Sequence, residues 1–377
     1  MRIEFTGLDE LREHRAAGHD LRGALLTGLD LTGAEEDRLL RTALDGAVLL
    51  GCALGPATTR RAEAAGALLF PDIPDLPYRV YRTSLYTPEE LFEGFDPARP
   101  ESYVDTLDAR IYRHSRERGR HPGPLHALAE RLHDHAITEA LSHVLGRDGC
   151  QPVAVMGGHA LTRDSAGYRA ALELGRWLGR SRVGFTVLTG GGPGAMEAVP
   201  LGVRLAGARR STVDDVLTEL GAAPRFGHNP AEIGGWLAAA LRVEVPAPPA
   251  PTIGIPTWYY GHEPPNMFCS LHAKYFANSV REDGLLTVAT GGVVYTPGSA
   301  GTVQEVFQDY TQNHYGPPAP MVFLGKDFWT TQVPAAPLVA QLAGGRPAQR
   351  WLLVTDEPAE AVELLEAYAV DQRDRAS

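Results

Sequence analysis

Apolar and polar positions alternate along most of the chain in blocks that predict short β-strands, each followed by an amphipathic helix. From about residue 150 the order is regular. Apolar, β-prone runs at 153–156, 185–188, 252–255, 293–295, 321–324 and 352–355 predict strands. Helical spacing predicts helices at 167–178, after the glycines at 190–194, at 266–282, from 303 through Val306, Phe307 and Tyr310, and at 333–342 and 359–367. Such alternation predicts an α/β fold with a doubly wound, mostly parallel sheet, Rossmann-like, spanning 149–377. In sheets of that kind ligands sit at the carboxyl ends of the strands. The segment from about 208 to 251, which ends in Pro246, Pro248, Pro249 and Pro251, reads as an insertion, either a lid or an elaborated loop.

The pattern before residue 149 is weaker. Residues 21–33 carry a five-residue rhythm of leucine and glycine, too short to define a repeat. Apolar runs at 47–50 and 67–70 flank an amphipathic stretch at 57–65 and predict a small βαβ element, interrupted by prolines at 71–77 and 97–100. Leu125, Leu128, Leu132, Leu141 and Leu145 mark a long helix ending near Gly146. Residues 1–148 are therefore expected to form an N-terminal α/β accessory region. His126, His133 and His135 lie on the long helix, but His133 and His135 are on different helix faces. They are expected on a solvated face, and no metal site is expected.

Composition narrows the class. The hydrophobic fraction is 44%, with no run near the roughly 18 apolar residues of a membrane span. The start of the chain lacks a signal-peptide core, so a cytoplasmic protein is expected. Cys52, Cys150 and Cys269 are far apart and form no C-x-x-C pair, which suggests neither a disulfide framework nor zinc. A net charge of −11 argues against a general nucleic-acid binder. An anionic ligand must then be held by loops and individual arginines; Lys274 and Lys326 are the only lysines.

Two glycine loops follow predicted strands. Thr189-Gly190-Gly191-Gly192-Pro193-Gly194-Ala195-Met196-Glu197 is the first, and Pro297-Gly298-Ser299-Ala300-Gly301-Thr302-Val303-Gln304-Glu305 the second. Glycines there leave amide N–H groups uncovered at a helix N-terminus, where unsatisfied donors and the helix dipole favour phosphate. Glu305 falls off the apolar helix face and adds a carboxylate beside this seat. Thr302 and Glu305 also fit the T-x-x-E capping box, which offers a purely structural alternative. Glu197, in a first helical turn, suits either the helix dipole or a ribose contact. Asn266 is either a ligand contact or the N-cap of the predicted 266–282 helix. His159, after Gly157 and Gly158, either touches ligand or shapes the turn.

These residues carry a resemblance. The 189–197 loop resembles the GGGxxG signature, and the 297–305 loop the PGGxGTxxE signature, of the Lonely Guy family of phosphoribohydrolases. Gly157-Gly158-His159, Gly190 to Ala198, Glu263-Pro264-Pro265-Asn266 and the 297–305 loop resemble, more closely, the larger bacterial nucleotide 5′-monophosphate nucleosidases. The likeness covers about 150–370; before that, Thr87-Pro88-Glu89-Glu90-Leu91-Phe92 is the best match. It implies hydrolysis of the N-glycosidic bond of a nucleoside 5′-monophosphate to free base and ribose 5-phosphate, without metal or cofactor. By the same resemblance Glu305 is the motif glutamate and Arg281 the active-site arginine. The sequence departs from the pattern at Ser299, where the family has glycine, at Gln304, where many members have an acid, and in a one-residue-longer spacing from Arg281 to Pro297.

The chemistry suits these residue types. Cleavage develops positive charge on the ribose, which a carboxylate can stabilise while orienting water. An arginine clamps a phosphate or a hydroxyl bidentately. The expected catalytic residues are Glu305 and Arg281, with substrate contacts from Gly158, His159, Gly191, Gly192, Gly194, Glu197, Asn266, Gly298, Ser299, Gly301 and Thr302. The expected ligand is a nucleoside monophosphate, a purine such as AMP, with no nucleic-acid or membrane partner. Two other readings stand beside it: a base- or ribosyl-transfer enzyme of secondary metabolism, and a nucleotide-sensing module without turnover. Met267, Phe268, Leu271, Tyr275 and Phe276 exceed what one helix stripe needs, so at least a dimer is expected, unless another part of the chain covers them.

Overall fold

The computed structural model describes residues 3–119, 122–147, 149–259 and 263–376. The chain forms two compact units, one of Met1–Ser84 with Arg120–Ala140, the other of Leu85–Gly119 with Leu141–Ser377.

The smaller unit holds β1 (Glu4–Phe5), α1 (Leu8–Ala16), β2 (Leu25–Thr27), α2 (Ala34–Leu39), β3 (Val48–Leu50), α3 (Pro56–Ala64) and β4 (Leu68–Phe70). Its four strands pair in parallel in sequence order, with Glu4 beside Leu25, Leu25 beside Val48 and Val48 beside Leu68. The rhythm in 21–33 is one turn of a longer repeat. Leu21-x-x-Ala24-x-Leu26-x-x-Leu29-x-Leu31 recurs as Leu44-x-x-Ala47-x-Leu49-x-x-Cys52-x-Leu54, the pattern of a leucine-rich solenoid turn of roughly 20–29 residues. Each such turn buries its leucines only against the next. Leu21, Leu26, Leu31, Leu44 and Leu49 accordingly share one core, with Cys52 and Leu54 packed at its margin. The Cys52 thiol donates to the Leu26 carbonyl at 3.4 Å, tying adjacent turns.

In the larger unit α4 (Pro88–Leu91) and α5 (Leu107–Arg118) come first, then α6 (Pro124–Leu145), whose earlier part belongs to the smaller unit. His133 on α6 is not solvated as expected. It is fully buried, edge-on to Tyr78, with Nδ1 3.3 Å from Asp134, and burial lowers its pKa. Leu125 and Leu128 of the expected stripe are instead exposed, while Ala129, Ile137 and Leu141 are buried.

There follow β5 (Pro152–Met156), α7 (Ala166–Arg180), β6 (Thr186–Thr189), α8 (Ala195–Arg204), α9 (Arg210–Gly221), α10 (Pro230–Arg242), β7 (Thr252–Gly254) and β8 (Leu271–His272). Then come α11 (Asn278–Val288), β9 (Val293–Tyr295), α12 (Ala300–Tyr315), β10 (Met321–Leu324), α13 (Ala335–Ala343), β11 (Leu352–Thr355) and α14 (Pro358–Ala376). The strands form one parallel sheet in the order β11-β10-β9-β5-β6-β7-β8. This is the expected doubly wound α/β architecture. From β5 the chain winds outward to β8, returns to β9 on the other side of β5, and winds outward again. The reversal lies between β5 and β9, and the ligand crevice of such a sheet opens there, beyond the strand ends. The core joins Val153, Val155 and Val187 of the sheet to Leu172 and Leu174 of α7, Val199 of α8, and Ala361 and Leu365 of α14.

The region read as an insertion is largely helical. α10 packs Ile233, Trp236 and Leu237 against Phe92, Tyr103 and Ala109. No described helix is long and apolar enough to cross a membrane.

The helix expected over 266–282 starts only at Asn278. Asn266 Oδ1 accepts from the amides of both Phe268 and Cys269, a local turn that competes with the helix. The chain then runs extended, through β8, to Tyr275, whose amide bonds Pro256 O. Phe268, Tyr275 and Phe276 are buried within the chain. The surplus apolar face that motivated a dimer is therefore not on a helix surface.

Candidate active site

Three loops meet at the switch point. After β5, Gly157 and Gly158 have φ of 101° and 67°, and after β6, Gly191 and Gly194 have φ of 75° and 72°. A side chain at Gly194 would strike the Gly158 carbonyl, so the first two loops lie back to back. The amide of Ala195 donates to that same carbonyl at 3.0 Å. After β9, a side chain at Gly298 would collide with Thr302, which makes this glycine a requirement of close approach.

α12 begins at Ala300, with Ser299 as an extended N-cap that makes no side-chain cap bond. Thr302 and Glu305 thus both lie inside the helix, and the capping-box alternative is excluded. Ser299 has φ −108° and ψ −160°, backbone open to any residue, so serine there costs the loop nothing. Gln304 faces α11, where its amide donates to Glu282 at 3.1 Å.

Arg281 of α11 and Glu305 of α12 face each other. Nη1 lies 3.6 Å from Oε1, and each side chain is 15% exposed. That separation exceeds a good hydrogen bond, so the pair is close but not locked. Arg281 Nε is buried and has no hydrogen-bond partner among the described residues. Burial raises the Glu305 pKa from the usual 4.5 to about 7; the Arg281 charge opposes this rise and the neighbouring Glu282 adds to it. A carboxyl group held near neutrality in a cleft is suited to acid–base work.

The cleft is lined by His159, Gly190, Gly192, Arg281, Ser299, Gly301, Thr302 and Glu305, and by Met156, Gly157, Met196, Pro256, Thr257 and Glu263. The expected residues His159, Gly192, Ser299, Gly301, Thr302, Arg281 and Glu305 are thus brought together. Gly158, Gly191, Gly194 and Gly298 shape the loops without lining the cleft.

Glu197 and Asn266 are turned inward. The Glu197 carboxylate is wholly buried, accepting from Arg163 Nε at 3.0 Å, Arg163 Nη2 at 2.6 Å and Tyr168 Oη at 3.0 Å. Asn266 is also fully buried. It caps no helix: its Nδ2 donates to Gly192 O and Met196 O, each at 3.1 Å, and its Oδ1 takes the two amides named above. It staples the glycine loop to the 266–269 turn.

Sequence reasoning missed the cleft positions Pro256 and Thr257, which carry no motif of their own, and did not single out Met196 within the first glycine loop. It also missed Asp309, one turn beyond Glu305. Asp309 is buried, accepts from Tyr295 Oη at 2.6 Å and Asn313 Nδ2 at 3.1 Å, and has its pKa raised to about 7 by burial. The buried positions Thr302, Val306, Asp309, Tyr310 and Asn313 follow steps of three and four residues and place the polar pair Asp309 and Asn313 on the buried face, which an apolar template passes over.

No protein-family model matches the chain, and neither does any curated protein sequence. Solved structures give distant likenesses. The X-ray structure of the structural-genomics target TM1055 is 23% identical, covering 58% of this chain and 99% of its own at a TM-score of 0.37. The molybdenum cofactor carrier protein from Chlamydomonas reinhardtii is 20% identical, covering 57% and 98% at a TM-score of 0.34. At those scores neither bears on the chemistry.

Proposed function

We propose that the protein hydrolyses the N-glycosidic bond of a nucleoside 5′-monophosphate. The observation that carries this reading is a carboxyl group with a pKa of about 7, paired loosely with an arginine, in a cleft walled by two glycine loops at the sheet's switch point. The resemblance of those loops to phosphoribohydrolase signatures supports the same reading.

In this mechanism the amide-rich turn at the start of α12 receives the 5′-phosphate. The C1′–N bond breaks with its electron pair leaving on the base, and positive charge develops on the ribose ring. Ionised Glu305 stabilises that charge and orients water toward C1′, taking up its proton as the C1′–O bond forms. The departing base is protonated from solvent, and the products are free base and ribose 5-phosphate. Arg281, which lines the cleft, clamps the phosphate or a ribose hydroxyl.

The test is incubation with each common ribonucleoside and deoxyribonucleoside 5′-monophosphate, followed by chromatography for released base and ribose 5-phosphate. Release from none of them refutes hydrolysis. Base release that requires an added acceptor points to transfer instead.

A further inference from the structure

The cleft runs across the carboxyl ends of four adjacent strands. β9, β5, β6 and β7 are neighbours in that order, so three strand spacings, about 14 Å, separate the β9 end from the β7 end. After β9 come Ser299, Gly301, Thr302 and Glu305, the last facing Arg281; after β7 come Pro256, Thr257 and Glu263.

The two glycine loops differ in what they offer an anion. In the first, the Gly191 amide donates to Thr189 Oγ1 at 3.1 Å, and the Ala195 amide, at the start of α8, donates to the Gly158 carbonyl at 3.0 Å. A carboxylate also stands over this loop, since a side chain at Gly192 would come within 3.4 Å of Glu263 Oε2. Committed amides and a negative charge turn a phosphate away from the first loop and leave the start of α12 for it.

Glu263 is exposed in the cleft and makes no hydrogen bond or ion pair among the described residues. Lys274, whose charge it feels, is held by Asp108 at 2.6 Å. Thr257, the other polar side chain after β7 in the cleft, donates to the Tyr275 carbonyl at 3.1 Å and accepts from the Tyr259 amide at 3.0 Å. Apolar groups lie beside the carboxylate: a side chain at Gly192 would also come within 3.1 Å of Met196 Cε, and one at Gly191 would strike Pro256.

We propose that Glu263 selects the base. The nucleotide lies with its phosphate at the start of α12 and its base toward β7, against Met196 and Pro256, where the Glu263 carboxylate accepts from an exocyclic amine. The proposal rests on the nucleotide reading above. Apolar side chains suit the faces of a heterocycle, and a single placed polar group fixes its orientation. An ionised carboxylate only accepts, so it pairs with an amine and not with a bare ring nitrogen. A base without the amine takes water from the carboxylate and returns no hydrogen bond. The 6-amine is the one N–H donor of adenine in a nucleotide, which makes it the sharpest probe.

The experiment compares AMP with purine ribonucleoside 5′-monophosphate, which lacks only the 6-amine, on the full-length protein and on Glu263→Ala, Glu263→Gln and His159→Ala. Base release gives kcat/KM for both nucleotides, and the change of their ratio between variants cancels the different leaving abilities of the two bases. Glu263→Ala should lower kcat/KM for AMP by about tenfold or more, the scale of a hydrogen bond to a charged group, and for the purine nucleotide by less than about twofold. Glu263→Gln, which keeps an acceptor without the charge, should fall between. The His159 ring, also without a partner among the described residues, comes from the β5 loop, so His159→Ala should leave the ratio unmoved. Inhibition by ribose 5-phosphate should be equal in wild type and Glu263→Ala. A ratio unmoved by Glu263→Ala overturns the base assignment. An equal fall for both nucleotides with weaker inhibition by ribose 5-phosphate also overturns it, because the carboxylate then serves the sugar. Release of base from no 5′-monophosphate at all overturns the nucleotide reading and this proposal with it.

Discussion

Replacing Glu305 with Gln separates the cost of the site from its use. In the folded protein the carboxyl group titrates at about 7 against a usual 4.5. Because the folded pKa is raised, folded protein holds the proton more tightly than unfolded protein does. Stability is therefore greatest below pH 4.5 for this group and declines as pH rises through 7. At 1.36 kcal/mol per unit the shift corresponds to roughly 3 kcal/mol lost by pH 8. Gln cannot ionise and escapes that loss, although it leaves Arg281 without a counter-charge, so a net gain of about 1–3 kcal/mol is expected at pH 8 and none near pH 4.5. The assay is the difference in thermal midpoint between variant and wild type from pH 4.5 to 8.5, with base release measured on the same preparations. Turnover should fall by about 10²- to 10⁴-fold, the usual effect of losing an acid–base group. In wild type, release should rise with pH through about 7 as Glu305 ionises. A stability difference that does not vary with pH refutes the buried-carboxyl argument; near-normal base release by the variant refutes the catalytic role.

Three further outcomes follow from the same geometry. A nucleoside 5′-monophosphate should be a far better substrate than its nucleoside, and equal kcat/KM for the two would show that the loops do not seat a phosphate. Gly298→Ala, whose new methyl meets the Thr302 side chain, should cost about 1–3 kcal/mol in denaturant unfolding, whereas Gly301→Ala, which meets nothing within 4 Å, should leave stability unchanged or slightly higher. Asn266→Ala strands the buried partners of four hydrogen bonds and should destabilise by at least about 1–3 kcal/mol while raising KM more than it lowers kcat; a variant with unchanged stability would contradict the staple.

Local signals carry far in this chain because a parallel sheet buries both faces of its strands. The runs at 293–295, 321–324 and 352–355 coincide with β9, β10 and β11, since each is a continuous apolar segment bounded by turn residues. The glycine loops were legible for a related reason, as positive φ and close backbone approach leave glycine little substitute. Where two signals competed locally, the pattern misled. An apolar spacing suggested a helix over 266–282, yet the Asn266 side chain captures two amides and the segment extends into β8. The solenoid of the smaller unit was hidden because Leu21 to Leu31 finds its partner in Leu44 to Leu54, beyond the reach of a short window.

By itself, then, the order of residues determined the strand-and-helix alternation, the parallel sheet and the position of both glycine loops at its carboxyl edge. It also supplied Glu305 and Arg281 as candidates. Only the tertiary structure decided which candidates face the cleft. Glu197 and Glu305 look alike as acids after glycine loops, but Arg163 and Tyr168 draw the first into the interior while the second stands 3.6 Å from Arg281 at the switch point. The difference is set by residues far apart in the chain, which converge only when β5 and β9 become neighbours, and by the burial that raises one carboxyl pKa to about 7. Solvation and ion pairing depend on what surrounds a group in space, and no local pattern encodes that.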